Sequence, residues 1–335
     1  MSKRLNFILS GLTIFPLLQA TSISKVSIAT SAAIIITRSE SVNASQKWKS
    51  YLDRGNKKFY EEDYEASIEI YTKAIEIKRT EPIPYNYRGE AKAKLGDHLG
   101  AISDYTLAIS YYSDYEDAYH NRALAKARLE NYKAAIADYT KVIEIDPDYV
   151  DAYFNRGVSK DSLKDYKGAI DDYSKAIELN PDYVEDAYYY RAASKYYLDD
   201  FNGAISDYTK CIEIIPYNYA YYDRGFSKYQ LGDYEGAISD SNIIIKDDPK
   251  YFDAFYLRGI SKNALEDYYG AISDFDKALE IGPTNLYIYK NRGISKENIR
   301  DMKGACSDWR KASSLGDEDA IRWFKDDCKR FNKIY

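Results

Sequence analysis

Few residues in this chain are equipped for chemistry. Two histidines, His98 and His120, leave little material for imidazole acid–base catalysis or metal ligation. Three cysteines, Cys211, Cys306 and Cys328, form no C-x-x-C and cannot build a zinc ribbon or a disulfide framework. There is no G-x-x-x-x-G-K-[ST] phosphate loop, no G-x-G-x-x-G opening a helix after a strand, no H-E-x-x-H and no G-x-S-x-G. Carboxylates are plentiful, but they recur where helix capping explains them and not as a paired acid/base site. The expectation is a chain that is not an enzyme, with no metal and no cofactor. A formal net charge of -6 over 335 residues also argues against bulk nucleic-acid binding, which needs a surplus of Lys and Arg.

What does recur is a set of charges. Arginine stands at Arg54, Arg88, Arg122, Arg156, Arg191, Arg224, Arg258 and Arg292. A lysine follows each four residues later, from Lys58 to Lys296, one helical turn away. Aspartate follows 16 residues after the arginine at Asp104, Asp138, Asp172, Asp207, Asp240, Asp274 and Asp308. The arginines and lysines would form a basic stripe that reads an acidic ligand, or they would pair with the aspartates inside the protein. The second conspicuous set is aromatic, because the chain holds 37 tyrosines.

Both sets follow one period. The residue after each arginine is Gly55, Gly89, Ala123, Gly157, Ala192, Gly225, Gly259 and Gly293, with spacings of 34, 34, 34, 35, 33, 34 and 34. Residues 48–319 therefore read as eight units starting near 48, 82, 116, 150, 185, 218, 252 and 286, with an insertion near Glu185 and a deletion near Asn218. One unit, Asp151 to Tyr183, reads DAYFNRGVSKDSLKDYKGAIDDYSKAIELNPDY. In each unit position 16 is Asp or Asn (Asp63, Asp97, Asn131, Asp165, Asp200, Asp233, Asp267, Asp301), which suits the N-cap of a second helix. The Gly-Ala pair at positions 19 and 20, as in Gly168-Ala169, reads as a close approach of two helices. Proline at position 32 (Pro147, Pro181, Pro216, Pro249, Pro283) blocks continuation of that helix. Units of this kind bury one face each and must stack to complete a core.

This pattern resembles the tetratricopeptide repeat, a helix-turn-helix unit of 34 residues. Aromatics stand at position 4 (Tyr51 to Tyr289) and position 24 (Tyr71, Tyr105, Tyr139, Tyr173, Tyr208, Phe275, Trp309), with Ala at position 20 in all but the first unit. The resemblance implies an all-α, right-handed superhelical solenoid of eight helix pairs plus a C-terminal capping helix. It also implies that slots 7 and 11 face the second helix. The Arg156, Arg191 and Arg224 guanidinium groups and the Asp172, Asp207 and Asp240 carboxylates then form an internal ladder rather than a ligand stripe.

In the family the first helix of each pair lines a concave groove, chiefly with positions 2, 5, 9, 12 and 13. Here those slots carry Phe154, Tyr189, Tyr196, Tyr222, Phe226, Tyr229 and Tyr256, an aromatic strip expected to hold an extended peptide or an amphipathic helix. Packing between repeats is the competing role for the same rings. Asp161, Asp186 and Asn263 are expected on its rim, and His120, in slot 5, either touches a ligand or sits in solvent. The carboxylate clamp of one family subclass is broken. Asn56 matches it, but Leu52, Tyr87, Asp117 and Asn121 replace its lysine, asparagine and basic pair.

The two ends differ from the repeats. Residues 1–47 open with Lys3 and Arg4, an apolar run from Leu5 to Thr21 and a second from Val26 to Thr37. They read as a signal peptide or a membrane anchor with a short linker. Either places the repeats outside the cytoplasm, whereas a two-span hairpin would return them to the cytoplasmic face of the membrane. Residues 318–335 read as the capping helix, beginning at Asp317 or Glu318 after Gly316, with Ile321, Phe324 and Cys328 on one face. A chain folded back at Gly316 sets Cys306 and Cys328 at similar height, as a disulfide or as two buried thiols. The functional expectation is a protein-binding scaffold with one or more protein partners, no nucleic acid, and membrane association through the N-terminus. A recruitment subunit of an envelope or polysaccharide enzyme complex is the other reading. The tandem arrangement is similar to those common in bacteria.

Overall fold

The structure is a computed structural model and describes residues 43–180, 185–282 and 284–328. Among these there is no strand, and helices follow one another in antiparallel pairs. The pairs are α1 (43–60) with α2 (Tyr64–Ile77), α3 (Pro82–Lys94) with α4 (His98–Tyr111), α5 (Glu116–Arg128) with α6 (Tyr132–Ile145), and α7 (Val150–Ser162) with α8 (Tyr166–Leu179). Then come α9 (Glu185–Tyr197) with α10 (Phe201–Ile214), α11 (Asn218–Gln230) with α12 (Tyr234–Asp247), α13 (Phe252–Ala264) with α14 (Tyr268–Ile281), and α15 (Leu286–Asn298) with α16 (Met302–Ser314). The described residues end in α17 (Glu318–Trp323) and a π-helical turn, Phe324–Cys328.

Each pair is joined by a turn with a fixed grammar. Position 15 is left-handed throughout, with Gly96 and Gly232 at φ 83° and 82° but Glu62, Glu130, Lys164, Asp199, Glu266 and Arg300 at φ 58–66°. A side chain there costs roughly 1–2 kcal/mol relative to glycine. The next residue caps the second helix. Asp97, Asp165, Asp200, Asp233, Asp267 and Asp301 each accept from the N–H three residues on, at 2.9–3.1 Å. In all six that donor is a glycine of position 19, and a Cβ on it would collide with the capping carboxylate. The glycine therefore serves the cap, not a close approach of helices. Where position 19 is alanine the bond weakens: Asp63 reaches Ala66 at 3.3 Å, and Asn131, with Ala134 in that place, makes no side-chain cap.

The close approach lies elsewhere. A Cβ on Gly55, Gly89, Gly157 or Gly259 would stand 2.5–2.7 Å from a ring carbon of Tyr71, Tyr105, Tyr173 or Phe275. The ring of position 24 thus fills the notch that position 8 leaves, and these rings are at most 1% exposed. Fully burying one such side chain stabilises by about 2 kcal/mol. The alanines of position 20, Ala101 to Ala305, are fully buried beside them.

The helices form two compact units, ending and beginning at Tyr111 and Tyr112. The first holds α1–α4 and the second α5 onward. In the second unit α5, α7, α9, α11, α13 and α15 each touch the next of their kind, while their even-numbered partners make no comparable contacts with each other. Tighter spacing on the odd-numbered side makes that face the inner one. Pro147, Pro216 and Pro249 each stand one residue beyond a helix C-cap or at it, where a missing N–H does no harm.

The ends need amendment. Helix α1 already begins at residue 43, before the first unit of the period, and the two apolar runs lie in 1–42, outside the described residues. So do Pro181 and Pro283, and residues 181–184 just before Glu185, near which the inserted residue falls. Among the described residues no helix is long and apolar enough to cross a membrane. Asp317 caps α17 through Ala320 N–H at 2.7 Å, following Gly316 at φ 100°. The terminal helix is α-helical only to Trp323 and then widens into the π turn; residues 329–335 lie outside the description. The buried face is accordingly Ala320, Trp323, Phe324 and Cys328 against Trp309 and Ala312, without Ile321. Cys328, buried on that face, is bonded to Cys306 with an S–S distance of 2.01 Å.

Candidate functional site

The charge ladder lies inside the seven helix pairs from α3/α4 to α15/α16; the first pair has Ile70 in the aspartate's place. Asp207 on α10 accepts from Arg191 Nε at 2.8 Å, Arg191 Nη2 at 2.7 Å and Lys195 Nζ at 2.7 Å. The same fork joins Arg156 and Lys160 to Asp172, and Arg224 and Lys228 to Asp240. It also holds Asp104, Asp138, Asp274 and Asp308. The aspartate side chains are 2–7% exposed, so these are buried pairs and not a surface stripe. Each arginine also lies over the aromatic of position 4, 5.3–5.6 Å from its centroid, as Arg191 does over Tyr188. One feature is invisible in a single unit: the remaining guanidinium nitrogen crosses to the preceding repeat. Arg156 donates to Thr140, Arg191 to Ser174, Arg224 to Thr209, Arg258 to Asn242 and Arg292 to Asp276, at 2.6–3.2 Å. The signal in the sequence is that position 25 is always polar.

The odd-numbered helices carry the aromatic strip. Residues four and three apart share one helix face, so Tyr222, Phe226 and Tyr229 on α11 line up, as Tyr189 and Tyr196 do on α9. All seven strip residues are half-buried. They do not form one surface. Tyr189, Tyr196, Tyr222 and Phe226 join Ala193, Tyr197, Tyr208 and Asp223 around a cavity of about 330 Å³. Tyr229 and Tyr256 are outside that lining and pack against the core of α13 and α14, as Tyr222 and Phe226 also do, with Tyr256 6.2 Å from Phe275. Phe154 meets Tyr173 at a tilt and Tyr190 edge to face, at 5.8 and 5.7 Å. A second cavity of about 500 Å³ shares Tyr189, Ala193 and Tyr197 with the first and extends to Asp161, Tyr190 and Ser194. Both roles of the aromatics, packing and lining, are therefore present, and Tyr222 and Phe226 serve both.

Two acids stand in these walls. Asp223 Oδ2 accepts from Tyr189 OH of the preceding repeat at 2.7 Å, and no cation among the described residues pairs with it. Burial pushes its carboxyl above the usual carboxylate range, with the tyrosine bond opposing. Asp161 accepts from Tyr173 OH and Ser194 Oγ, both at 2.8 Å, and burial raises it likewise.

The expected rim needs correction. Asp161 and Asn263 are half-buried inter-repeat links rather than rim groups. Asn263 accepts from Ser295 Oγ at 2.7 Å, because slot 12 of one helix faces the next odd-numbered helix. Asp186 is exposed, as a rim residue would be. His120 is neither solvated nor in a cavity. It is held between Tyr139 and Tyr149, at 5.8 and 5.2 Å, with Asn155 Nδ2 3.4 Å from Nε2, and burial lowers its pKa. Asn56, the one residue matching the carboxylate clamp, accepts from Tyr71 OH at 2.8 Å. Cys211 is buried, as its core slot implies.

Among the described residues no group of three acidic, histidine or cysteine side chains is placed to hold a metal. Family models for the tetratricopeptide repeat match residues 49–81, 150–183 and 222–285, and one for the TPR repeat matches 126–160. No curated protein sequence matches the chain. Among solved structures, the C-terminal part of a TPR repeat-containing protein from Cytophaga hutchinsonii is 19% identical with a TM-score of 0.62, over 71% of this chain and 98% of that one. A tetratricopeptide repeat protein from Parabacteroides merdae is 21% identical with a TM-score of 0.52, over 75% and 99%. YrrB, described as a TPR protein with an unusual peptide-binding site, is 24% identical with a TM-score of 0.51, over 55% and 95%. At these identities the likeness is one of fold.

Proposed function

Because the chain belongs to the tetratricopeptide repeat family, we propose that it is a non-catalytic scaffold that binds a peptide or a helix of a protein partner on the odd-numbered helix face. The observation that carries this reading is the pair of adjoining aromatic cavities that meet on α9, one of about 330 Å³ toward α11 and one of about 500 Å³ toward α7 and α8. Rigid rings supply contact area at low entropic cost, and a floor of phenols and carboxylates orients what binds. The peptide-binding site of the similar YrrB fold agrees with such a use.

The test compares partner capture by the wild type and by a Tyr189→Ala/Tyr196→Ala/Tyr222→Ala variant, quantified by mass spectrometry. The variant is expected to lose the partner while keeping its helical signal. Equal recovery by a folded variant refutes the groove.

We also place the repeats outside the cytoplasm, exported or anchored through the N-terminal segment. The Cys306–Cys328 bond supports this, since disulfides persist in oxidising compartments. Protease added to intact cells after the outer barrier is opened is expected to digest the repeats. Full protection refutes that location.

A further inference from the structure

We propose that the cavity between α9 and α11 receives a single cationic side chain of the bound peptide, arginine in preference to lysine. This rests on the groove reading above and specifies its ligand. The walls are ring systems: Tyr189, Tyr196, Tyr208, Tyr222 and Phe226. Aromatic faces carry negative charge density and attract a cation placed over them, more strongly where water is thinned out. Asp223 completes the cage with its carboxyl group.

The treatment of this carboxylate differs from that of every ladder aspartate. Those hold an arginine and a lysine each, whereas the single side-chain bond to Asp223 among the described residues comes from the neutral phenol of Tyr189. Nor does the chain supply an internal cation. Its repeat arginines are occupied over the rings of position 4, and none of the five cage rings has a lysine or arginine over it among the described residues. An apolar ligand would seal Asp223 away from water with no partner but the Tyr189 hydroxyl, at high cost. An anion would meet it directly. A metal ion would find one carboxylate and no companion ligands. A guanidinium satisfies both parts of the cage, since it stacks flat on rings while its edge donates to a carboxylate; a lysine ammonium does only the second well.

The probes are Nα-acetyl-arginine methylamide, its lysine counterpart, and Nα-acetyl-citrulline methylamide, the uncharged isostere of the first. Binding to the full chain is read by saturation-transfer NMR titration. The arginine derivative is expected to bind about ten-fold more tightly than citrulline, with lysine between. Asp223→Asn keeps an acceptor for Tyr189 and is expected to remove that preference, while Asp171→Asn, an exposed control, leaves it unchanged. Equal binding of arginine and citrulline by the wild type overturns the proposal without needing any variant. So does an undiminished preference in Asp223→Asn. The groove reading fails separately. Partner recovery lost in the triple tyrosine variant, together with no cation preference, leaves the groove and removes the cage. Cation preference with partner recovery intact does the reverse.

Discussion

Removing Asp207 should damage the protein far more than removing a surface acid. Its side chain is 6% exposed and takes three charge-assisted hydrogen bonds at 2.7–2.8 Å. Breaking a buried ion pair by deleting one partner costs about 3–5 kcal/mol, because the charge left behind stays desolvated. Arg191 and Lys195 are 16% and 21% exposed, so water reaches them in part and the lower end applies, about 3 kcal/mol for Asp207→Ala. The mutation also loosens the Arg191 bond to Ser174 and thereby the contact with the preceding repeat. Replacing the whole rung with Arg191→Met/Lys195→Met/Asp207→Leu removes the stranded charges and is expected to cost within about 1 kcal/mol of nothing. Urea titrations followed by far-UV circular dichroism measure both, with the first transition analysed separately because repeat arrays unfold in parts. An Asp207→Ala loss below about 1 kcal/mol, or a triple variant worse than the single, would refute the account of the rung as a desolvated charge cluster.

Further outcomes follow from the same geometry. Lys164→Gly and Asp199→Gly relieve left-handed side chains and should each raise the unfolding free energy measured by urea titration by about 1 kcal/mol. Gly168→Ala should displace the Asp165 cap and lower thermal stability by about 1 kcal/mol, whereas Ala134→Gly should let Asn131 form the cap it lacks and raise it. Reducing Cys306–Cys328 opens a loop of 22-residue separation and should destabilise the C-terminal cap by about 3 kcal/mol, visible as loss of Trp309 and Trp323 fluorescence order before the rest melts. Burial raises the folded-state carboxyl of Asp223, so its ionisation opposes folding above that value; Asp223→Asn should be the more stable protein at pH 7, and the gap should shrink as pH falls through the folded pKa.

The parts of this molecule that repeat were readable from the chain, and the parts that differ between repeats were less so. The arginine, lysine and aspartate of the ladder keep fixed offsets, which a buried pair demands and a ligand does not, and the structure has them paired. The role of the position 19 glycines was misread, because Gly-Ala suggests helix contact until the cap oxygen beside it is seen. The cage was legible only in pieces. Tyr189, Tyr196, Tyr222 and Phe226 fell on groove slots, but Asp223 stands in slot 6 and looks like any solvated helix acid until Tyr189 of the neighbouring repeat covers it. Tyr229 and Tyr256 share the strip's spacing but do not line the cavity that Tyr222 and Phe226 line, a difference set by neighbours that a period averages away. The terminal π turn has no spacing signal at all, and it carries Cys328.

The ladder also bears on how such a chain tolerates being lengthened or shortened. All three charges of a rung lie within one repeat, 12 and 16 residues apart, so a unit copied or excised whole takes its own neutralisation with it. What the ladder itself passes between units is a single guanidinium nitrogen, and its acceptor is a threonine, a serine, an asparagine or an aspartate. The joint asks only for some oxygen at that place. Interchangeable joints around self-contained charges let individual repeats exchange their inner-face residues freely, which is the condition under which one pair of helices could acquire a cage while its neighbours did not.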